Sequence, residues 1–86
     1  MLNPLADRTN KRINAIARLS KLTHRSISRI IGKSPNYTLY HLQGKAEWTF
    51  SDITLICKAT GYTTDEILTD SFTLHMPNDL TEDNKQ

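Results

Sequence analysis

Cysteine is nearly absent from this chain of 86 residues: Cys57 stands alone, so no internal disulfide can form. A lone cysteine at an apolar helix position reads as a small core residue and fits a reducing compartment, so a cytoplasmic location is expected. No run of about 18 apolar residues occurs, which excludes a helical membrane span. The N-terminus has no basic region followed by an apolar run, and no secretory signal is expected. Catalytic patterns are missing as well. There is no nucleophile motif, no glycine-rich phosphate loop and no metal-ligand spacing. His24, His41, His75 and Cys57 are isolated in sequence, so a zinc site would have to be assembled in three dimensions. Serine and threonine are plentiful but stand where helix caps are needed. Without a paired acid and base, no enzyme, cofactor or metal is expected. Glycine occurs only three times, as Gly32, Gly44 and Gly61, each where a helix is expected to stop.

What is present centres on Leu22 to Lys45, LTHRSISRIIGKSPNYTLYHLQGK. Thr23 is placed to cap a helix, and Ile27, Ile30 and Ile31 follow at i, i+3 and i+4 as one apolar stripe. This helix is expected over about 24–31, and Gly32 stops it with a left-handed residue. Ser34 caps a second helix over about 35–43, with Pro35 at its first position, where a missing N–H costs nothing. Two short helices joined by a glycine turn form either a helix-turn-helix or an ordinary helical hairpin. On these residues alone both readings stand.

The flanks supply three more helices. Asn3-Pro4 opens the first as cap and first-turn proline, with Asp7 near its positive end, although the first residues could equally form an arm. Leu5, Ile13, Ile16 and Ala17 are expected inward, and Arg8, Lys11, Arg12 and Arg18 outward. After a loop from Lys45 to Trp48, Thr49 to Asp52 has the spacing of a capping box, with aspartate in the usual glutamate position. Phe50, Ile53, Ile56 and Cys57 form the stripe of that helix. Trp48 covers its base, a packing role preferred to stacking on a nucleobase. Thr63 to Glu66 opens a last short helix that buries Ile67 and Leu68. From Ser71 to Met76 the period changes to two, with Phe72, Leu74 and Met76 on one face, which is strand-like. Residues 77–86 are polar and acidic and are expected to be disordered.

Charge divides along the chain. Residues 1–58 hold ten Lys/Arg against three acids, and residues 59–86 hold one lysine against six acids. The basic part coincides with the helix-turn-helix, and such a domain attracts phosphate and releases counterions on binding.

From Arg12 to Leu68 the chain resembles, without a gap, the DNA-binding domain of the phage Cro and repressor family, also called XRE. Arg12-Ile13 and Ile16 stand where that family has its first helix. Leu22-Thr23-His24 stands in place of Leu-Ser-Gln, Gly32-Lys33-Ser34 matches a Gly-x-Ser turn, and Gly44-Lys45 matches the Gly-Lys after the recognition helix. Ile53, Ile56, Ala59 and Gly61 fit the fourth helix and its stop, and Asp65 to Leu68 fits the fifth. Ala17 and Leu42 replace an arginine and a glutamate that pair in the family, and losing both partners of a buried pair can be nearly neutral. Thr38 and His41 fall where the family buries aliphatic residues. Either they lie inside, or the helix at 35–43, the third in chain order and so helix 3, is rotated so that Leu39 and Leu42 face the core.

The resemblance implies an all-α, five-helix lambda-repressor-like DNA-binding domain over residues 1–70. It also implies a dimer-forming strand at 71–76 and a repressor that holds double-stranded operator DNA as a homodimer. The helix N-terminus at Thr23 and His24 would hold phosphate, with Arg25, Lys33, Ser34 and Lys45 along the strand. Asn36 and Tyr40 would read bases, joined by Tyr37 or His41 if helix 3 is rotated. Tyr37 and Tyr40 can equally be packing residues. Phe72, Leu74 and Met76 would form the dimer seam. A different class of function competes. Helix 3 is poor in arginine and glutamine and rich in tyrosine and leucine, which also suits a protein-interaction module, a repressor modulator or an antitoxin that binds a toxin.

Overall fold

The computed structural model describes residues 2–69. They form five helices: α1 (Pro4–Leu19), α2 (His24–Ile31), α3 (Pro35–Leu42), α4 (Phe50–Thr60) and α5 (Thr64–Leu68). The domain is therefore all-α, and no strand occurs among the described residues. The expected strand at 71–76 and the acidic tail at 77–86 lie outside the described residues.

Local chemistry places each helix start. Asn3, Thr23, Ser34, Thr49 and Thr63 are the N-caps, and each side chain accepts a backbone N–H of the first turn. Thr49 with Asp52 and Thr63 with Glu66 close full capping boxes. Gly32 ends α2 at φ 71°, a left-handed conformation that glycine adopts without steric cost. It turns the chain into α3 after two residues.

The core is built from Ile13, Ile16 and Ala17 of α1, Ile27 and Ile31 of α2, Ile53, Ile56 and Cys57 of α4, and Ile67 of α5, with Trp48 and Tyr62 from the loops. Burial and the charge of Glu66 push the Cys57 thiol up to about 11, so it stays a protonated packing group. α2 packs against both α3 and α4, while α1 spans the domain to touch α3 and α5.

Several expected orientations are corrected. Leu5 is 52% exposed rather than inward, and Phe50, at the first position of α4, is 68% exposed. Leu68 is only half-buried. Arg8 and Arg12 do not point outward. Arg8 Nη2 donates to the Leu68 carbonyl at 3.0 Å, and Arg12 Nη1 donates to the carbonyls of Ile67 at 2.6 Å and of Thr69. The physical reason is that α5 has five residues and therefore more orphan carbonyls than it can satisfy internally. Two guanidinium groups from α1 supply the donors and favour the negative end of the helix dipole.

Candidate nucleic-acid interface

The orientation of α3 is settled by its own polar residues. Thr38 is fully buried and His41 nearly so, while Leu39 is 40% exposed and Leu42 packs half-buried against the core. Burial of these two polar side chains costs little because each is satisfied within the helix. Thr38 Oγ1 donates to the Ser34 carbonyl at 3.2 Å, and His41 Nδ1 donates to the Tyr37 carbonyl at 2.7 Å. Helix 3 is thus not rotated, and the condition under which Tyr37 or His41 joins the base readers is not met.

Tyr37 is half-buried and tied to the rest of the domain. Its hydroxyl donates to Asp52 at 2.5 Å, and its ring stacks on His41 with centroids 4.0 Å apart. Asp52 is 1% exposed and also accepts from Lys33 Nζ at 3.3 Å and from the Thr49 backbone N–H at 3.4 Å. Burial alone would raise this carboxyl. The hydrogen bonds from Tyr37, Thr49 and Lys33 outweigh that and hold it below the usual carboxylate range. Asp52 reciprocally raises Lys33 above the usual lysine value. Burial first, then the hydrogen bond to Asp52, raises the Tyr37 hydroxyl. One carboxylate therefore ties the α2–α3 turn, α3 and the start of α4 together.

The far end of α3 is tied to α1. Asn10 Nδ2 and Asn14 Nδ2 donate to the Leu42 carbonyl at 3.2 and 3.1 Å. Asn10 Oδ1 accepts from Trp48 Nε1 at 2.8 Å, which fixes the amide orientation because indole can only donate. Buried Trp48 lies against the His41 ring, with centroids 5.1 Å apart, and at 7% exposure is a packing residue. Where the resemblance has an arginine–glutamate pair between these helices, this chain has asparagines bonding to backbone.

Fixed at both ends, α3 presents Asn36, Leu39, Tyr40 and its C-cap Gln43 as an exposed stripe. Cations flank it. Arg25, Arg29 and Lys33 line an open groove together with Ser28, Gly32 and Pro35, the last of which begins α3. At the other end, Lys45 Nζ lies 6.0 Å from the Tyr40 ring. From Arg8 to Ala46 the chain carries nine Lys/Arg and no acid. Arg8, Arg12 and Lys33 are partly committed to internal partners, which leaves Lys11, Arg18, Lys21, Arg25, Arg29 and Lys45 exposed or at the edge of the domain.

Other expected site residues have modest local roles. Thr23 and Ser34 spend their hydroxyls as N-caps, accepting Ser26 N at 3.2 Å and Tyr37 N at 3.1 Å, and His24 is half-buried at the start of α2. The dimer residues Phe72, Leu74 and Met76 lie outside the described residues. Sequence reasoning missed Asn10, Asn14 and the tertiary role of Asp52, and it also passed over Gln43 and Arg29. The asparagines at i and i+4 beside Ile13 and Ala17 carried a signal, because polar residues on an apolar face need partners.

No family model, no curated protein and no solved structure matches this chain.

Proposed function

We propose that the protein is a sequence-specific DNA-binding transcriptional regulator, a Cro-like repressor of phage or mobile-element type that binds a pseudo-palindromic operator as a homodimer. The observation that carries this reading is the exposed stripe of α3 set in surroundings that hold cations and no acid from Arg8 to Ala46. A helix so presented fits the major groove, and the flanking cations neutralise phosphates. Asn36 and Gln43 carry amides that can pair with adenine, and Tyr40 contacts a thymine methyl or a phosphate. Arg25 and Lys45 hold the DNA backbone on either side, with Arg29 extending the first group. Thr23, His24 and Ser34 supply helix N-termini to phosphate. Bound over a promoter, the dimer excludes RNA polymerase.

Affinity should therefore fall steeply with salt. Arg25→Ala or Lys45→Ala should weaken binding to all sequences alike and lower the slope of log affinity against log salt by about 1. Fluorescence anisotropy over a salt series measures both quantities. A changed operator preference with an unchanged slope would remove these residues from the phosphate contacts.

Asn36→Ala should lower discrimination at one or two base pairs by about 1–3 kcal/mol. Its stability should barely change, because Asn36 is exposed. Competition binding with single-base operator variants reads this out. An unaltered preference profile strikes Asn36 from the readers.

Leu39 and Tyr40, 40% and 50% exposed on the same stripe, favour a second reading. In that reading the helix-turn-helix binds another protein, as a repressor modulator or an antitoxin. Retention on bulk DNA at low salt separates the two, since an interaction module would pass through.

A further inference from the structure

The exposed stripe of α3 carries no cation of its own. No lysine or arginine stands between Lys33 and Lys45. The one basic side chain of α3, His41, is 7% exposed, and its Nδ1 donates to the Tyr37 carbonyl. What the helix turns outward is an amide at Asn36, an isobutyl group at Leu39, a phenol at Tyr40 and a second amide at Gln43. The helix buries a threonine and a histidine and keeps a leucine 40% exposed, the reverse of what burial alone favours.

Each base pair shows a distinct set of groups in the major groove. Adenine offers an acceptor and a donor that match a carboxamide, and thymine offers a methyl group that suits an apolar side chain. Guanine offers two acceptors, which call for the donors of arginine or lysine, and α3 exposes neither. Lys45 Nζ lies 6.0 Å from the centroid of the Tyr40 ring, which places the phenol beside a cation assigned to phosphate. Leu39 is thus the apolar group left between the two amides. We propose that α3 reads a run of A·T pairs, with Asn36 and Gln43 on adenines and Leu39 on the 5-methyl group of a thymine between them. The inference rests on the DNA-binding reading and names the class of sequence that the same helix selects. From Asn36 to Gln43 a helix advances about 10 Å, at about 1.5 Å per residue, which is about three steps of stacked bases. Leu39 follows Asn36 at i+3, so the thymine lies about one step from the first adenine.

Selection of the full chain's binding sites from random duplex DNA, followed by one change of base chemistry, tests this. The enriched half-site should hold about three to four consecutive A·T pairs, and Asn36→Ala should relax the preference within them. Remaking the enriched duplex with deoxyuridine for thymidine at these pairs removes only the 5-methyl groups. The change should weaken binding by the wild-type protein about fourfold for each methyl that is buried. Leu39→Ala should gain nothing from the methyl groups and bind both duplexes alike, because either change removes the same contact. Leu39 is 40% exposed, so the variant should keep its helical circular dichroism. Equal binding of the two duplexes by the wild-type protein would overturn the proposal. So would an equal loss on both duplexes in Leu39→Ala, or G·C pairs at the positions that Asn36→Ala relaxes. In each of these cases the DNA-binding reading stands. Enrichment of no sequence at low salt would remove that reading, and this inference with it, in favour of the protein-interaction module.

Discussion

Asp52→Ala should remove about 3 kcal/mol of folding stability, a large share of the roughly 5–15 kcal/mol that domains possess. The carboxylate is 1% exposed and accepts three hydrogen bonds from three parts of the fold: Tyr37 on α3, Lys33 in the turn and Thr49 at the cap of α4. Alanine leaves the Tyr37 hydroxyl and the cap without their acceptor, and each lost partner adds to the penalty. Asp52→Asn keeps an acceptor for Tyr37 and Thr49 but turns an amide NH2 toward the Lys33 ammonium, so it loses one of the three hydrogen bonds and should cost less than alanine. The pH dependence has a defined sign. The folded-state pKa of Asp52 lies below its ordinary value. The carboxylate therefore contributes its full stability above the unfolded pKa, about 4, and loses it as pH falls through the folded value. Wild-type stability should decline below about pH 4, and Asp52→Ala should lack this component of the decline. Because Tyr37 belongs to α3, the variant should also loosen the presentation of Asn36 and Tyr40. Chemical denaturation across pH measures the first two effects. An unchanged denaturation midpoint would contradict the role given to the carboxylate.

If the protein is the homodimeric DNA-binding regulator proposed above, deleting residues 71–86 should leave it a monomer and reduce affinity for a full operator by about 10²–10⁴-fold, the usual gain from linking two binding units. One domain offers few base contacts, and the two-fold symmetry expected of the operator mirrors that of a protein pair. The sequence alternation of Phe72, Leu74 and Met76 is the reason 71–76 is the proposed seam, since the edge of a strand, where one forms, can pair with its own copy. The shortened chain should keep its helical circular dichroism. Ile13, Ile16, Ile27, Ile53, Ile56 and Ile67, all buried, lie before the cut. Sedimentation velocity on both forms decides the matter. A shortened protein that still sediments as a dimer would move the interface to α5 or another helix.

The helices were legible because their signals are local. Each cap acts on a backbone N–H three residues away, and each glycine stop needs only its own φ, so Thr23, Ser34, Gly32 and Gly61 announce their elements. Apolar periodicity likewise found Ile13, Ile27, Ile53 and Ile56. What stayed hidden depends on contacts distant in sequence. Asp52 reads as a capping-box member, and nothing in a linear pattern joins it to Tyr37, 15 residues earlier. Arg8 and Arg12 look like surface charges until α5 brings its carbonyls to them. The rotation of α3 was open because hydrophobicity ranks Leu39 above Thr38. The outcome follows from hydrogen bonds inside the helix that make Thr38 and His41 cheap to bury. Leu5 and Phe50 were expected inward from the apolar stripes of their helices, but both lie in the first turn of a helix, at the edge of the domain, and are exposed. The interface is only partly legible for the same reason. Its charges are in the sequence, whereas the exposure of Asn36, Tyr40 and Gln43, with Tyr37 half-buried against Asp52, required the helix to be placed.

Selection of bound sites from a pool of random duplex DNA tests the central claim most directly. The account predicts enrichment of one partly palindromic sequence, with half-sites about one helical turn apart, and an Asn36→Ala protein that enriches a relaxed version of it. Failure to enrich any sequence at low salt, where phosphate contacts are strongest, would contradict it.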